Sequence, residues 1–181
     1  MRTFLYLLLS AAAIACSDST APTATLTNAE RSDTLYSLIG TPVASPSGYA
    51  LDGGHRVRTD LSDAFDFAYN VEADGRHVFI PRAAFGLDSS NTVNPGFQLQ
   101  TKTFDEITIA PSNGYVSTDI VPIAVGERYV VRSRITCSIG VPQYAKLEIV
   151  SFDDVARTVA FRILIDENCG FRGLEPGLPD K

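Results

Sequence analysis

The chain has 181 residues, 45% of them hydrophobic and 20% charged, with a formal net charge of −6 and no tryptophan. That length suits one domain of ordinary size with a real core. The acidic balance excludes the electrostatic footprint of a nucleic-acid binder and the polybasic patch that holds a protein to anionic lipid. In chain order, the first segment reads as a targeting sequence. Arg2 supplies a short positive region, and Phe4 to Ala15 is almost unbroken apolar sequence. The run is shorter than the roughly 20 residues of a membrane span but suits the apolar region of a secretory signal. Residues 1–15 are therefore expected to be a signal peptide.

Two processing routes fit its end. Ala13-Ile14-Ala15 is an A-x-A site for ordinary signal peptidase, and the same residues followed by Cys16 resemble the lipobox of bacterial lipoproteins, with Ala13 where a lipobox has leucine. Cysteine arithmetic favours the lipobox. There are three cysteines, Cys16, Cys137 and Cys169, and an exported protein with an odd number is left with a stray thiol in an oxidising compartment. With lipid on Cys16, the other two can pair. Residues 16–27 are polar and rich in Ser, Thr, Ala and Pro, the composition of a flexible tether, and residues 28–181 are expected to form a single β-rich domain. Ser17 rather than Asp follows the cysteine, so the inner-membrane retention signal is absent and the anchor is expected at the outer membrane, on its periplasmic side or at the cell surface.

Thr27-Asn28-Ala29-Glu30 has the form of a capping box, Leu35, Leu38 and Ile39 follow at helical spacing, and Gly40 is a stop. These features predict a short helix over about Asn28 to Ile39. Everything after Pro42 reads as β. Phe65, Phe67 and Tyr69 alternate with Asp66 and Ala68, Asp74-Gly75 supplies a turn, and Val78 and Ile80 return before Pro81. Further strands are expected at Phe97–Thr101, Glu106–Ile109 and Tyr115–Ile123. The last third holds three alternating runs, "GERYVVRSRITC", "QYAKLEIVSF" and "RTVAFRILIDENC", which predict an antiparallel meander with one face on the core. The fold class is thus all-β: an antiparallel sandwich or a partly open barrel with a C-terminal three-strand meander and one short N-terminal helix. In such a meander the first and third strands are about 9.6 Å apart, beyond the ~7 Å limit for a disulfide. Cys137 and Cys169 lie at or past the strand ends, where overhanging chain can close that gap, and a bridge is expected there.

The chain has no G-x-S-x-G, no H-E-x-x-H, no phosphate loop and no EF-hand spacing, so no catalytic constellation is predicted. His55 and His77 are the only histidines. Asp60, Asp63 and Asp66 are spaced by three but fall in a β context, where they need not converge. Arg128, Arg132 and Arg134, with Lys146 and Arg162, fall on successive strands and form a possible basic stripe for ligand carboxylates. Cross-strand pairing with Glu127, Glu148 and Asp166 accounts for them without a ligand.

The runs "RYVVRSR", "QYAKLEIVSF" and "RTVAFRI" resemble the closing strands of HmuY-like haem-binding lipoproteins, which carry Y-x-V-x-T/S, Y-A-K-L-x-I and T-F-x-Y patterns. "AFDFAYN" is similar to the family's W-D-x-A-F strand, with Phe65 at the tryptophan position. The resemblance covers Asp63 to Ile165 and implies an all-β outer-membrane lipoprotein that captures haem beside a TonB-dependent receptor. It also implies two iron-holding histidines between the W-D-x-A-F strand and the meander. Here that region offers only His77, His55 lies upstream, and the mature chain has no methionine. The ligand-binding candidates are therefore His77, His55, Arg132 and Arg134, with haem as the cofactor that the resemblance suggests. No metal site beyond that is expected, and the alternative is an envelope structural or assembly protein acting through protein contacts.

Overall fold

The computed structural model describes residues 23–87 and 93–180. The segment expected to be a signal peptide, Cys16 and residues 17–22 lie outside them. Ten strands form two five-stranded sheets, both antiparallel throughout. The first sheet comprises β1 (Glu30–Tyr36), β6 (Gly96–Gln100), β8 (Arg128–Ile135), β9 (Pro142–Asp153) and β10 (Thr158–Asp166), in the order β1-β10-β9-β8-β6. The second comprises β2 (Gly48–Ala50), β3 (His55–Val57), β4 (Phe67–Val71), β5 (His77–Pro81) and β7 (Val121–Pro122), in the order β3-β2-β4-β5-β7. Both sheets are open, so they do not close into a barrel and the arrangement is that of a sandwich.

The core lies between the sheets, and the alternation read from the sequence accounts for it. Tyr129 and Val131 of β8, Ala145, Leu147 and Ile149 of β9, and Val159, Phe161, Ile163 and Ile165 of β10 all point inward. They meet Tyr49, Phe67, Tyr69 and Phe79 of the second sheet. Phe67 packs edge-on against Phe79 and Phe97, with ring centroids 4.9 and 5.0 Å apart, the geometry that aromatic quadrupoles favour. Full burial of each such side chain contributes about 1.5–3 kcal/mol, so this aromatic layer is a large part of the packing energy.

The predicted N-terminal helix is instead the edge strand β1, paired residue for residue with β10 from Glu30↔Leu164 to Tyr36↔Thr158. A capping box is worth about 0.5–2 kcal/mol, whereas a strand here satisfies the open edge of β10 and buries Leu35 completely. Leu38 leaves the supposed helical face to pack on the outer side of the second sheet, and Ile39 is exposed. The charged residues of β1 suit an edge that must not recruit another chain.

Two other expectations give way to turns. Glu106–Ile109 is not a strand: Phe104, Ile107 and Ala110, spaced by three, fold onto the outer face of the first sheet beside Val130, Tyr144, Leu164 and Leu174. Of Tyr115–Ile123 only Val121–Pro122 is strand, with one isolated bridge from Val116 to Phe97. The meander is therefore covered on both faces, and its expected polar side is largely buried. Phe65 also departs from the alternation, joining Ala50, Val57 and Ala68 on the outer face of the second sheet.

Cys137 and Cys169 form a disulfide with their Cα atoms 5.8 Å apart. Each lies beyond its strand end, so overhanging chain spans the width of β9. The strap before β1, expected to be tether as far as residue 27, is docked from Ala24 onward. Asn168 Oδ1 accepts the amides of Thr25 and Leu26, each at 2.8 Å, and its Nδ2 donates to the Leu26 carbonyl at 2.8 Å. Asn28 bridges Gly177 through both backbone groups. Polar side chains, not apolar ones, hold this strap, which is why its composition resembles that of a spacer.

Asp166 underlies the same corner. It is fully buried, and its Oδ1 accepts the Asn168 amide at 3.0 Å and Asn168 Nδ2 at 2.9 Å. Burial raises its carboxyl above the usual range. The folded protein therefore holds this proton more tightly than the unfolded chain, whose value is about 3.9. Its contribution to stability is greatest at low pH and falls as pH rises from the unfolded value through the folded one. Asp166→Asn removes that loss. The stability of the variant relative to wild type is expected to rise between pH 4 and 7, as read from urea midpoints; a difference constant with pH contradicts this.

Candidate functional site

The sequence candidates fall at separate places. At one end of the sandwich, His77 of β5 stacks on Phe152 with centroids 3.7 Å apart and lies parallel to the Tyr69 ring. Its Nδ1 is 2.7 Å from the Tyr69 hydroxyl, and its Nε2 is 3.2 Å from the exposed Asp154 carboxylate. Burial, with Asp154 adding to it, raises the Tyr69 phenol above its ordinary value, so the hydroxyl keeps its proton. The imidazole thus bridges the buried phenol and the exposed carboxylate, with the direction of each bond set by its tautomer. Asp153 builds the turn that presents Asp154, with Oδ1 accepting the amides of Val155 and Ala156. Arg157 then bonds back to the carbonyls of Ile39 and Val71.

His55 lies in the edge strand β3, opposite Ala50. The register places Ala50 level with Asp66, five residues along β4 from Val71, which faces His77. At about 3.3 Å per residue, the two histidines are ~16 Å apart along the strands, and three strand spacings of ~4.8 Å separate them across the sheet. One haem iron cannot take both as ligands.

The arginines divide as well. Arg132 donates to the Asn94 carbonyl at 2.9 and 3.1 Å and lies 4.6 Å over the Tyr115 ring, on the outer face of the first sheet. Arg134 crosses to the second sheet, where Nη1 is 3.2 Å from Asp66 Oδ1, and Asp52 is 4.0 Å away. Arg128 and Arg162 flank Glu148 at 3.5 and 2.5 Å. Lys146 is buried, its Nζ 3.1 Å from the Ile107 carbonyl and 4.6 Å over Phe104, and burial lowers its ammonium from the ordinary lysine value. The basic side chains thus have protein partners. Of the three acids named as their pairs, only Glu148 is one. Glu127 accepts from Ala124 and Tyr129, and Asp166 accepts from Asn168.

One residue that joins the sheets is Asp66, which the sequence shows only as an acid inside an apolar run; Ser37 with Asn70 and Tyr129 with Pro122 bridge them elsewhere. It is fully buried, and its Oδ2 accepts the Leu51 amide at 2.7 Å while Oδ1 accepts the Arg134 amide at 2.7 Å. A register shift in β8 between Arg132 and Ile135 frees that amide from the ladder. Ser133 Oγ accepts the Gln143 amide and donates to the Arg134 carbonyl, satisfying the rest of the irregularity. Nearby, Arg31 reaches Glu167 at 2.9 Å and the Gly54 carbonyl at 3.1 Å. Gly54 has φ +54°, and a Cβ there would lie 2.2 Å from Arg31 Nη1, so any side chain at that position displaces the arginine.

Three shallow depressions of about 260–350 Å³ lie around Thr23, Thr108, Phe171 and Leu178. None is lined by a histidine, Arg132 or Arg134. Among the described residues, no group of three His, Cys, Asp or Glu side chains is placed to hold a metal ion. No family model matches the chain, and neither a curated protein nor a solved structure matches it.

Proposed function

We propose that the chain is a cell-envelope lipoprotein, anchored through Cys16 in the outer membrane, whose β-sandwich is non-enzymatic and acts through contacts with other envelope proteins. The observation that carries this reading is the Cys137–Cys169 bridge. It consumes two of the three cysteines, so Cys16, at the end of an apolar leader, is the one left for lipid. Protein contact is favoured over haem capture because His55 and His77 sit far apart and the candidate arginines are already engaged by the fold. On this reading the resemblance to HmuY-like lipoproteins is one of strand motifs and anchor, while haem ligation would need a residue set that the described residues do not bring together. Fold-level likeness does not carry a site.

Fractionation tests the anchor. Cys16→Ser is expected to move the protein from the membrane fraction to the soluble periplasmic fraction and to abolish incorporation of a labelled fatty acid. Wild-type amounts of the variant in the membrane would overturn the reading.

A further inference from the structure

Three exposed large apolar residues gather at the disulfide end of the sandwich. Leu26 and Ile139 line one depression with Phe171 and Cys169, and Leu178 lines the adjoining one, with Thr23 and Phe171 common to both. Leu26 is 49% exposed, Ile139 60% and Leu178 58%. Single exposed apolar residues are ordinary, but several on one contiguous face mark a contact surface. This is also the end at which the chain enters the domain. Cys16 and Thr23 are seven residues apart, so Thr23 lies within about 25 Å of the anchor cysteine even at full extension, and at ~15 Å for a flexible chain. The occupant nearest this face is therefore the bilayer that holds the lipid. Headgroup attraction is not what selects it: no lysine or arginine lines these depressions, and the acids Glu167 and Asp180 do.

We infer that the anchored domain sits with its disulfide end on the lipid surface, Leu26, Ile139 and Leu178 entering the apolar side of the interface. The opposite end, with the β9–β10 turn at Val155, then faces away from the membrane, about 26 Å further out along β10. This inference rests on the lipoprotein reading above.

The absence of tryptophan makes the test direct. Ile139→Trp and Val155→Trp each introduce a single indole at an exposed position, one at each end. Each lipidated full-length variant is reconstituted into phosphatidylcholine vesicles with and without brominated acyl chains, and flotation is measured alongside fluorescence. The expected result is a blue-shifted Ile139→Trp emission quenched at least twofold by the brominated lipid, with Val155→Trp unquenched. Equal, negligible quenching of both variants in vesicles that carry the protein overturns the seating and leaves the anchor standing. Protein that does not float with the vesicles overturns both.

Discussion

Asp66→Ala is expected to destabilise the protein by about 3–5 kcal/mol, the cost of removing one partner from a buried charged pair. The magnitude follows from what is left behind. The Leu51 and Arg134 amides lose their acceptor, and each unsatisfied buried amide costs about 1–3 kcal/mol. The Arg134 guanidinium also loses the carboxylate 3.2 Å away. Asp66→Asn keeps the shape but turns one acceptor into a donor aimed at an N–H, so it recovers only part of the loss. Urea denaturation measures both variants. A loss below ~1 kcal/mol for the alanine variant would show that the two sheets are not joined through this carboxylate.

The second large effect is at the disulfide. Cys137 and Cys169 are 32 residues apart, and opening a loop of that size is expected to cost about 3–4 kcal/mol in unfolded-state entropy. For a domain of this length each kcal/mol lowers Tm by about 2–4 °C, so the Cys137→Ala/Cys169→Ala variant should melt roughly 6–16 °C below wild type. Calorimetry of oxidised protein and the double variant checks this. An unchanged Tm would show that closing this loop in the unfolded chain does not stabilise the domain.

Much of this architecture was legible in the residues, and the failures have physical causes. The meander could be read because Leu147, Ile149, Phe161 and Ile163 keep period two over long runs, and burial between two sheets imposes that period. The bridge could be read because both cysteines overhang strand ends. The helix expected over Asn28 to Ile39 failed because its signals were local, whereas the unfilled edge of β10 is a demand from residues more than a hundred positions away. β2 and β3, at three residues each, are too short to show a period at all. The candidate site was the least legible part. Histidines and arginines were singled out by chemical type, and type alone does not reveal that His77 is held between Tyr69 and Asp154 or that Arg134 belongs to a joint between sheets. Asp66 carried a usable signal, a carboxylate flanked by Phe65 and Phe67 in a run that leaves it no solvent.

The pairing of β1 with β10 also constrains the order of events at synthesis. The strand that emerges first finds its partner only when nearly the whole chain has been made, so the sheet cannot be completed from a partial chain. The first sheet stays incomplete at that edge until Thr158–Asp166 arrives. Closure by so distant a pair is intrinsically slow. Under the lipoprotein reading proposed above, the same delay would keep Cys16 accessible to processing enzymes before the sandwich shuts.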